Sequence, residues 1–340
     1  MTETAAQRDA AAGSARRPAT TRPGKAAGPS AAPRTAAVRA DHAPHTEPEI
    51  PAIIEEAVPA TLPAGATAIS QPPGESDELH RWRSWRRERT DAVSAPYGPL
   101  AVTGTHWLAD APDGRLPGVP GRWTEDGEEL VVSAVPADLI AVDGQPLDGE
   151  ARLGPEHGPL DARVTSGDRH LVVLRREGLW AVRVFDPDAA ARRTFAGIDV
   201  YEHAERWAVP ATFRAYPADR TVQVANADGV TRGLGLTGEV VFTVDGVEYA
   251  LAAGDEGDGA LWIVLADATS TRPVEAGGSY PFRFLRPGAP AADTSLTLDF
   301  NRTLLPPCAF TDHSLCPFPP PGNTLPFALT AGERTTLTTG

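Results

Sequence analysis

Both cysteines of this 340-residue chain, Cys308 and Cys316, lie close together with His313 between them, in the spacing C-x4-H-x2-C. Zinc accepts thiolate and imidazole ligands, but it wants four of them, and structural sites usually come as two close pairs. His106, His203 or Asp299 would have to complete the set from elsewhere in the chain. The same thiols could instead be buried small apolar groups, the two ends of a disulfide, or a nucleophile with His313 or His203 as its base. Structural thiols or a disulfide outweigh zinc here, because the spacing supplies only three ligands. Polar residues flank the pair: Asp299, Asn301 and Arg302 before it and Asn323 after it. Polar groups where a strand runs into a loop are common in binding sites, and Asp299 with His203 could do acid–base work of a hydrolase kind. Equally, Asp and Asn often do no more than satisfy loop backbone. Arg283 and Tyr280, on a nearby candidate strand, could line the same pocket.

The segment that carries these groups, Leu298 to Phe327, holds seven prolines. Proline lacks the backbone donor and clashes with the preceding turn, so the segment is neither a regular helix nor a central strand. It is also too rich in Leu and Phe to stay in water, and is expected to pack on a folded body as a long loop. The body that must position it reads as mostly β, with antiparallel sandwich- or barrel-like halves preceded by one amphipathic helix and a disordered N-terminal tail. Residues 1–75 contain no aromatic residue and are dominated by Ala, Pro, Thr and Gly, a composition that buries too little to offset chain ordering. Residues 77–93 then repeat Leu79, Trp82, Trp85 and Val93 at helical spacing behind a Ser76 N-cap, with Arg81, Arg83, Arg86, Arg87 and Arg89 expected to face solvent or pair with the acidic body. From there the pattern changes to period two, punctuated by turn pairs such as Glu177-Gly178 and Asp245-Gly246. We divide the chain at 1–75, 76–190 (helix plus first β-rich half) and 191–340 (second half with the Cys/Pro-rich loop). Gly233-Leu234-Gly235-Leu236-Thr237-Gly238 spells a dinucleotide fingerprint, but the residues after Gly238 alternate like a strand. A turn or short link between strands is expected instead of a phosphate-holding helix.

The proline-rich segment resembles the DUF1684 family. The matching residues are Asp299-Phe300-Asn301-Arg302, Pro306-Pro307-Cys308-Ala309-Phe310-Thr311, Cys316-Pro317, Asn323, Leu325-Pro326 and Ala331-Gly332-Glu333. Weaker similarity in blocks at 103–111, 182–189, 195–201 and 277–285 extends the resemblance over roughly residues 76–336. The chain departs from the pattern at Leu305, where the family usually has asparagine, and at Asp312-His313, where it commonly has proline and an aromatic. A zinc site through His313 would therefore be no family trait. The resemblance implies no activity.

Net charge is −14, and nearly all of it falls after residue 75. An acidic body is a poor ligand for nucleic acid or anionic membrane, so neither is expected as a partner, and a small molecule is. Arginine makes up all the long cations but Lys25, which with the abundant alanine reads as a GC-rich bacterial genome. With no secretory signal pattern and no apolar run of spanning length, a cytoplasmic location is expected. The function reading is a soluble β-protein with a small-molecule pocket walled by the Asp299–Asn323 loop. The alternatives are a hydrolase-like or metal-dependent enzyme and a non-catalytic scaffold.

Overall fold

The computed structural model describes residues 76–257 and 259–339; the tail expected over 1–75 lies outside the described residues. Helix α1 is Asp77–Val93, with the Ser76 side chain accepting from the Leu79 amide at 3.3 Å and Asp77 and Glu78 in the first turn. This is the arrangement that satisfies orphan donors and suits the helix dipole. In the first half, strands run at Val102–Trp107 (β1), Arg122–Asp126 (β2), Glu129–Ala134 (β3), Ile140–Val142 (β4), Gln145–Pro146 (β5), Gly149–Leu153 (β6), Val164–Ser166 (β7), Arg169–Arg176 (β8) and Leu179–Phe185 (β9). They form a six-stranded sheet ordered β1-β9-β8-β7-β4-β5 and a three-stranded sheet β2-β3-β6. Trp123, Leu130 and Leu153 from the small sheet share one core with Leu171, Val173 and Trp180 from the large one. The arrangement is a two-layer sandwich.

After a short helix, Ala190–Thr194 (α2), the second half contains Phe195–Val200 (β10), Ala208–Ala225 (β11), Thr231–Val244 (β12), Val247–Asp255 (β13), Leu261–Leu265 (β14), Arg283–Gly288 (β15), Ser295–Asp299 (β16) and Glu333–Thr338 (β17). A barrel-like sheet runs β15-β14-β13-β12-β11-β16, and β10 pairs with β17 apart from it. Leu285 on one edge strand and Leu298 on the other belong to the same buried cluster as Val240 and Leu251 at the centre, so the sheet curls around that core, while Leu234, Leu236, Trp262, Val264 and Phe284 pack in a second cluster with Leu304 and Cys316 of the proline-rich segment. Every strand pair is antiparallel. The Glu177-Gly178 and Asp245-Gly246 turns both have positive φ at both residues, as tight hairpins require.

One expectation needs correction. The glycine cluster at 233–238 is neither a turn nor a link but the first part of β12, paired with β11 from Arg220 to Ala225. Its glycines allow close strand approach. A Cβ on Gly238 would sit 2.4 Å from the Phe213 ring and 2.6 Å from the Arg214 carbonyl. The arginines of α1 divide between solvent and an acidic partner. Arg81, Arg83 and Arg87 are exposed, but Arg89 is buried. Its Nε donates to Glu333 at 3.1 Å and its Nη2 to the Leu305 carbonyl at 3.1 Å. With Trp82 Nε1 donating to the Asn301 carbonyl at 2.9 Å, this fastens α1 to the proline-rich segment and β17.

Candidate functional site

The proline-rich segment packs on the body as expected: Leu304, Leu305, Phe310, Leu315 and Leu325 are all buried. Its polar residues work as a series of locks. Asp299 caps the short turn Phe300–Arg302. Its Oδ1 accepts from the Asn301 amide and side-chain nitrogen at 3.1 and 2.9 Å, and its Oδ2 from Arg302 Nε at 3.0 Å. Asn301 in turn accepts from the Ala204 amide at 3.0 Å and donates to the Ala204 carbonyl at 3.1 Å. The Arg302 guanidinium covers the Trp85 ring. Asn323 does the same for the far end of the loop, accepting from the Ala252 amide and donating to the Ala252 and Val264 carbonyls at 2.8–2.9 Å.

Arg283 lies away from these, wholly buried, paired with Asp267 at 2.7 Å and donating to the carbonyls of Leu329, Ala331 and Glu333. Asp267 Oδ1 receives the Thr269 and Leu329 amides. These further bonds help offset the cost of burying the pair, although Arg283 Nε has no partner among the described residues. Tyr280 touches the thiol region: its hydroxyl donates to the Cys308 carbonyl at 3.0 Å and approaches Cys308 Sγ at 3.6 Å. Burial first, and then the adjacent Cys308, push that hydroxyl well above the ordinary phenol range, so it stays a donor. The structure thus groups Asp299, Asn301 and Arg302, sets Tyr280 beside Cys308, and leaves Arg283 and Asn323 at separate places.

Cys308 and Cys316 are thiols, and Cys316 Sγ accepts from the Cys308 amide at 3.2 Å. His313 is exposed, with its carbonyl taken by Thr105 Oγ1 at 2.8 Å. Among the described residues no three His, Cys, Asp or Glu side chains are placed to hold a metal ion. The C-x4-H-x2-C spacing therefore does not close into a zinc site: the loop points Cys316 inward and leaves the histidine at the surface. His203 Nε2 is buried and has no hydrogen-bond partner among the described residues; its ring lies 5.3 Å from that of Trp82.

A cleft opens where the two halves and the loop meet. Arg176 at the end of β8, Asn226 after β11, Gly233 and Leu234 of β12, Trp262 of β14 and Phe284 of β15 form three sides. Pro307, Leu315, Cys316 and Pro317 of the proline-rich segment form the fourth. About 20 Å³ is open to water-sized molecules, enough for one water or for the narrow end of a larger guest. Asn226 and Trp262 are 2% and 5% exposed. Asn226 Nδ2 donates to the Leu315 carbonyl at 3.0 Å, but Asn226 Oδ1 and Trp262 Nε1 have no partner among the described residues. Sequence reasoning missed both. Asn226 reads as an ordinary hairpin residue and Trp262 as core, and no local signal brings the two residues together at one cleft.

The family model described as "Protein of unknown function (DUF1684)" matches residues 193–334. An uncharacterized protein from gene locus rrnAC0354 of Haloarcula marismortui, solved by solution NMR, is 30% identical. That match covers 42% of this chain and 77% of the other, with a TM-score of 0.34. The chain belongs to the DUF1684 family. No curated protein matches it. The DUF1684 match spans the second half and its loop and stops short of the sandwich, so the blocks at 103–111 and 182–189 fall outside it. Most of the residues that shape the cleft lie inside the DUF1684 region, and Arg176 lies outside it. Among the described residues no helix is long and apolar enough to cross a membrane.

Proposed function

We propose that this DUF1684 protein binds a small molecule without transforming it, in the cleft walled by the loop between Asp299 and Asn323. The observation that carries this reading is the cleft itself, lined by Leu234, Trp262 and Phe284 of the second half and by Pro307, Leu315, Cys316 and Pro317 of the loop, a mostly apolar concavity of the kind that small molecules occupy. The polar residues of the family signature are otherwise committed. Both oxygens of Asp299 hold Asn301 and Arg302, which favours a lock over a general base. The reading includes a cytoplasmic setting, in which Cys308 and Cys316 stay reduced, and no nucleic-acid or membrane partner, in keeping with the net charge of −14.

The test is a small-molecule fragment screen by thermal shift and ligand-observed NMR on the wild type and on Leu234→Phe, which fills the cleft, with Leu315→Phe as a second filling variant. Hits should compete with one another and vanish in the filled variants. Hits that persist there would place the site elsewhere, and turnover of any hit would make the protein an enzyme.

A further inference from the structure

We propose that Cys308 and Cys316 form a reversible dithiol–disulfide couple, in which a hydroperoxide oxidises Cys308 and Cys316 closes the bond. The inference stands on the placement of the two residues, whether or not the cleft holds a guest.

Seven residues separate the two cysteines, yet the loop folds back so that Cys316 Sγ lies 3.2 Å from the Cys308 amide nitrogen. With an N–Cα bond of about 1.46 Å, that sulfur is within about 4.7 Å of the Cys308 Cα. A cysteine side chain extended by one S–S bond of about 2 Å spans a similar length. Rotation of the Cys308 side chain therefore brings the sulfurs to bonding distance with little backbone movement. Both ends are held in place. Cys308 sits in the short turn Pro307–Ala309, and its carbonyl accepts from the Tyr280 hydroxyl at 3.0 Å. The Cys316 carbonyl accepts from the Ala227 amide at 2.8 Å, and the Phe318 amide donates to the Ala225 carbonyl at 2.9 Å. Between the cysteines Phe310 is buried, and Thr311 Oγ1 donates to the Val102 carbonyl at 2.9 Å. Two thiols presented in this way have a high effective concentration toward each other.

The thiols are not equivalent. Cys316 is 2% exposed and Cys308 half-buried, so a small oxidant meets Cys308 first. The Tyr280 hydroxyl stands 3.6 Å from Cys308 Sγ, and the Cys308 amide donates to Cys316 Sγ. A donor beside each sulfur favours the thiolate, the form that reacts. The Cys308 thiolate attacks the O–H oxygen of the hydroperoxide and the O–O bond breaks. The sulfur becomes a sulfenic acid, and the leaving oxygen departs as alcohol, or as water from hydrogen peroxide, with the proton the thiol gave up. Cys316 then attacks the Cys308 sulfur, the S–OH bond breaks, and hydroxide leaves as water with the Cys316 proton. Two thiols and one hydroperoxide thus give one disulfide, one alcohol and one water. An external dithiol reverses the step by exchange. The bond ties together two stretches of the cleft wall, at Pro307 and at Leu315 to Pro317.

The experiment uses the full chain, reduced and then freed of reductant, with hydrogen peroxide as the oxidant. Remaining thiols are blocked with N-ethylmaleimide in urea, and the mass of the tryptic peptide 303–334, which holds both cysteines, is measured. Native protein should give this peptide unblocked and lighter by two hydrogens, within a single chain, and dithiothreitol should restore both thiols. Cys316→Ser should stop at a sulfenic acid on Cys308 that dimedone traps. Cys308→Ser should react with peroxide about tenfold more slowly than Cys316→Ser does. Where either variant does not fold, a glutathione redox buffer decides on the wild type: the effective concentration of the pair should be about tenfold higher in native protein than in urea. An effective concentration no higher in native protein than in urea would overturn the proposal. So would native thiols that peroxide leaves unchanged, disulfides formed only between chains, or Cys308 driven to sulfinic acid with Cys316 still a thiol. Equal rates in the two serine variants would overturn the order of attack.

Discussion

Replacing Glu333 by alanine should be among the most damaging single changes in the second half, and the structure says why. Glu333 is 2% exposed. Its Oε1 takes Arg89 Nε from the helix at 3.1 Å, and its Oε2 takes the Leu305 amide at 2.6 Å. Alanine leaves the buried Arg89 guanidinium with the Leu305 carbonyl but no counter-charge, and leaves the Leu305 amide without its acceptor. Breaking a buried pair in this way costs about 3–5 kcal/mol, and a shift of 2–4 °C per kcal/mol for a domain of this size puts the fall in melting temperature at roughly 6–20 °C. Urea unfolding, followed by tryptophan fluorescence, gives the free-energy difference. A double-mutant cycle with Arg89→Leu should return a coupling of about 1–3 kcal/mol, because the second change removes the stranded charge. A loss below about 1 kcal/mol with negligible coupling would mean that water reaches the pair and that α1 is held by its apolar face alone.

Gly238→Ala should destabilise by about 1–3 kcal/mol, since its Cβ meets Phe213 and the Arg214 carbonyl. Gly235→Ala, with open space around its Cβ, should be neutral or gain up to about 1 kcal/mol; thermal unfolding separates the two, and equal losses would argue against the strand assignment. Cys316, which is buried, should resist a thiol reagent until the chain unfolds, with Cys308 reacting slowly; rapid stoichiometric labelling of both in native protein would show a loose loop. Burial, and then the neighbouring His313, hold His106 below the usual imidazole range. The unfolded chain therefore binds more protons as pH falls below about 6.5, and stability should drop through that window toward the lower folded value. His106→Gln should flatten that part of the urea-midpoint profile.

Much of the fold was legible from local pattern. The strands beginning at Glu129, Arg169, Leu179, Val247 and Leu261 were marked by β-branched and aromatic alternation, and the hairpins between them by Glu177-Gly178 and Asp245-Gly246. Strands β2, β6, β7, β10 and β17 were not, because each is short; β2 and β7 pair with their neighbours β3 and β8, while the others pair with segments farther along the chain. β17, for instance, pairs with β10 more than a hundred residues earlier. Glycine misled in β12, where it serves strand packing; local reasoning sees its conformational freedom and not the Phe213 ring that needs the space. The residues that look chemical in sequence, Asp299, Asn301, Arg302 and Asn323, proved to be bonded to backbone and to one another. The cleft was invisible because Asn226, Trp262 and Cys316 come from three distant places in the chain and line one space only once it is folded.

The anchoring of α1 has a consequence for synthesis. The helix leaves the ribosome well before its partners, and Arg89 must wait 244 residues for Glu333. At 5–20 residues per second, that is a delay of roughly 12–49 s. Over that interval Trp82 lacks the Asn301 carbonyl and Val93 lacks Ile198, Leu305 and Phe310, and the whole sandwich is translated in between. The run of arginines along the helix then acts as a built-in solubiliser for a nascent segment whose binding place has yet to be made. Chains arrested before residue 333 should expose that helix to trypsin, and the last few residues to emerge should close it off.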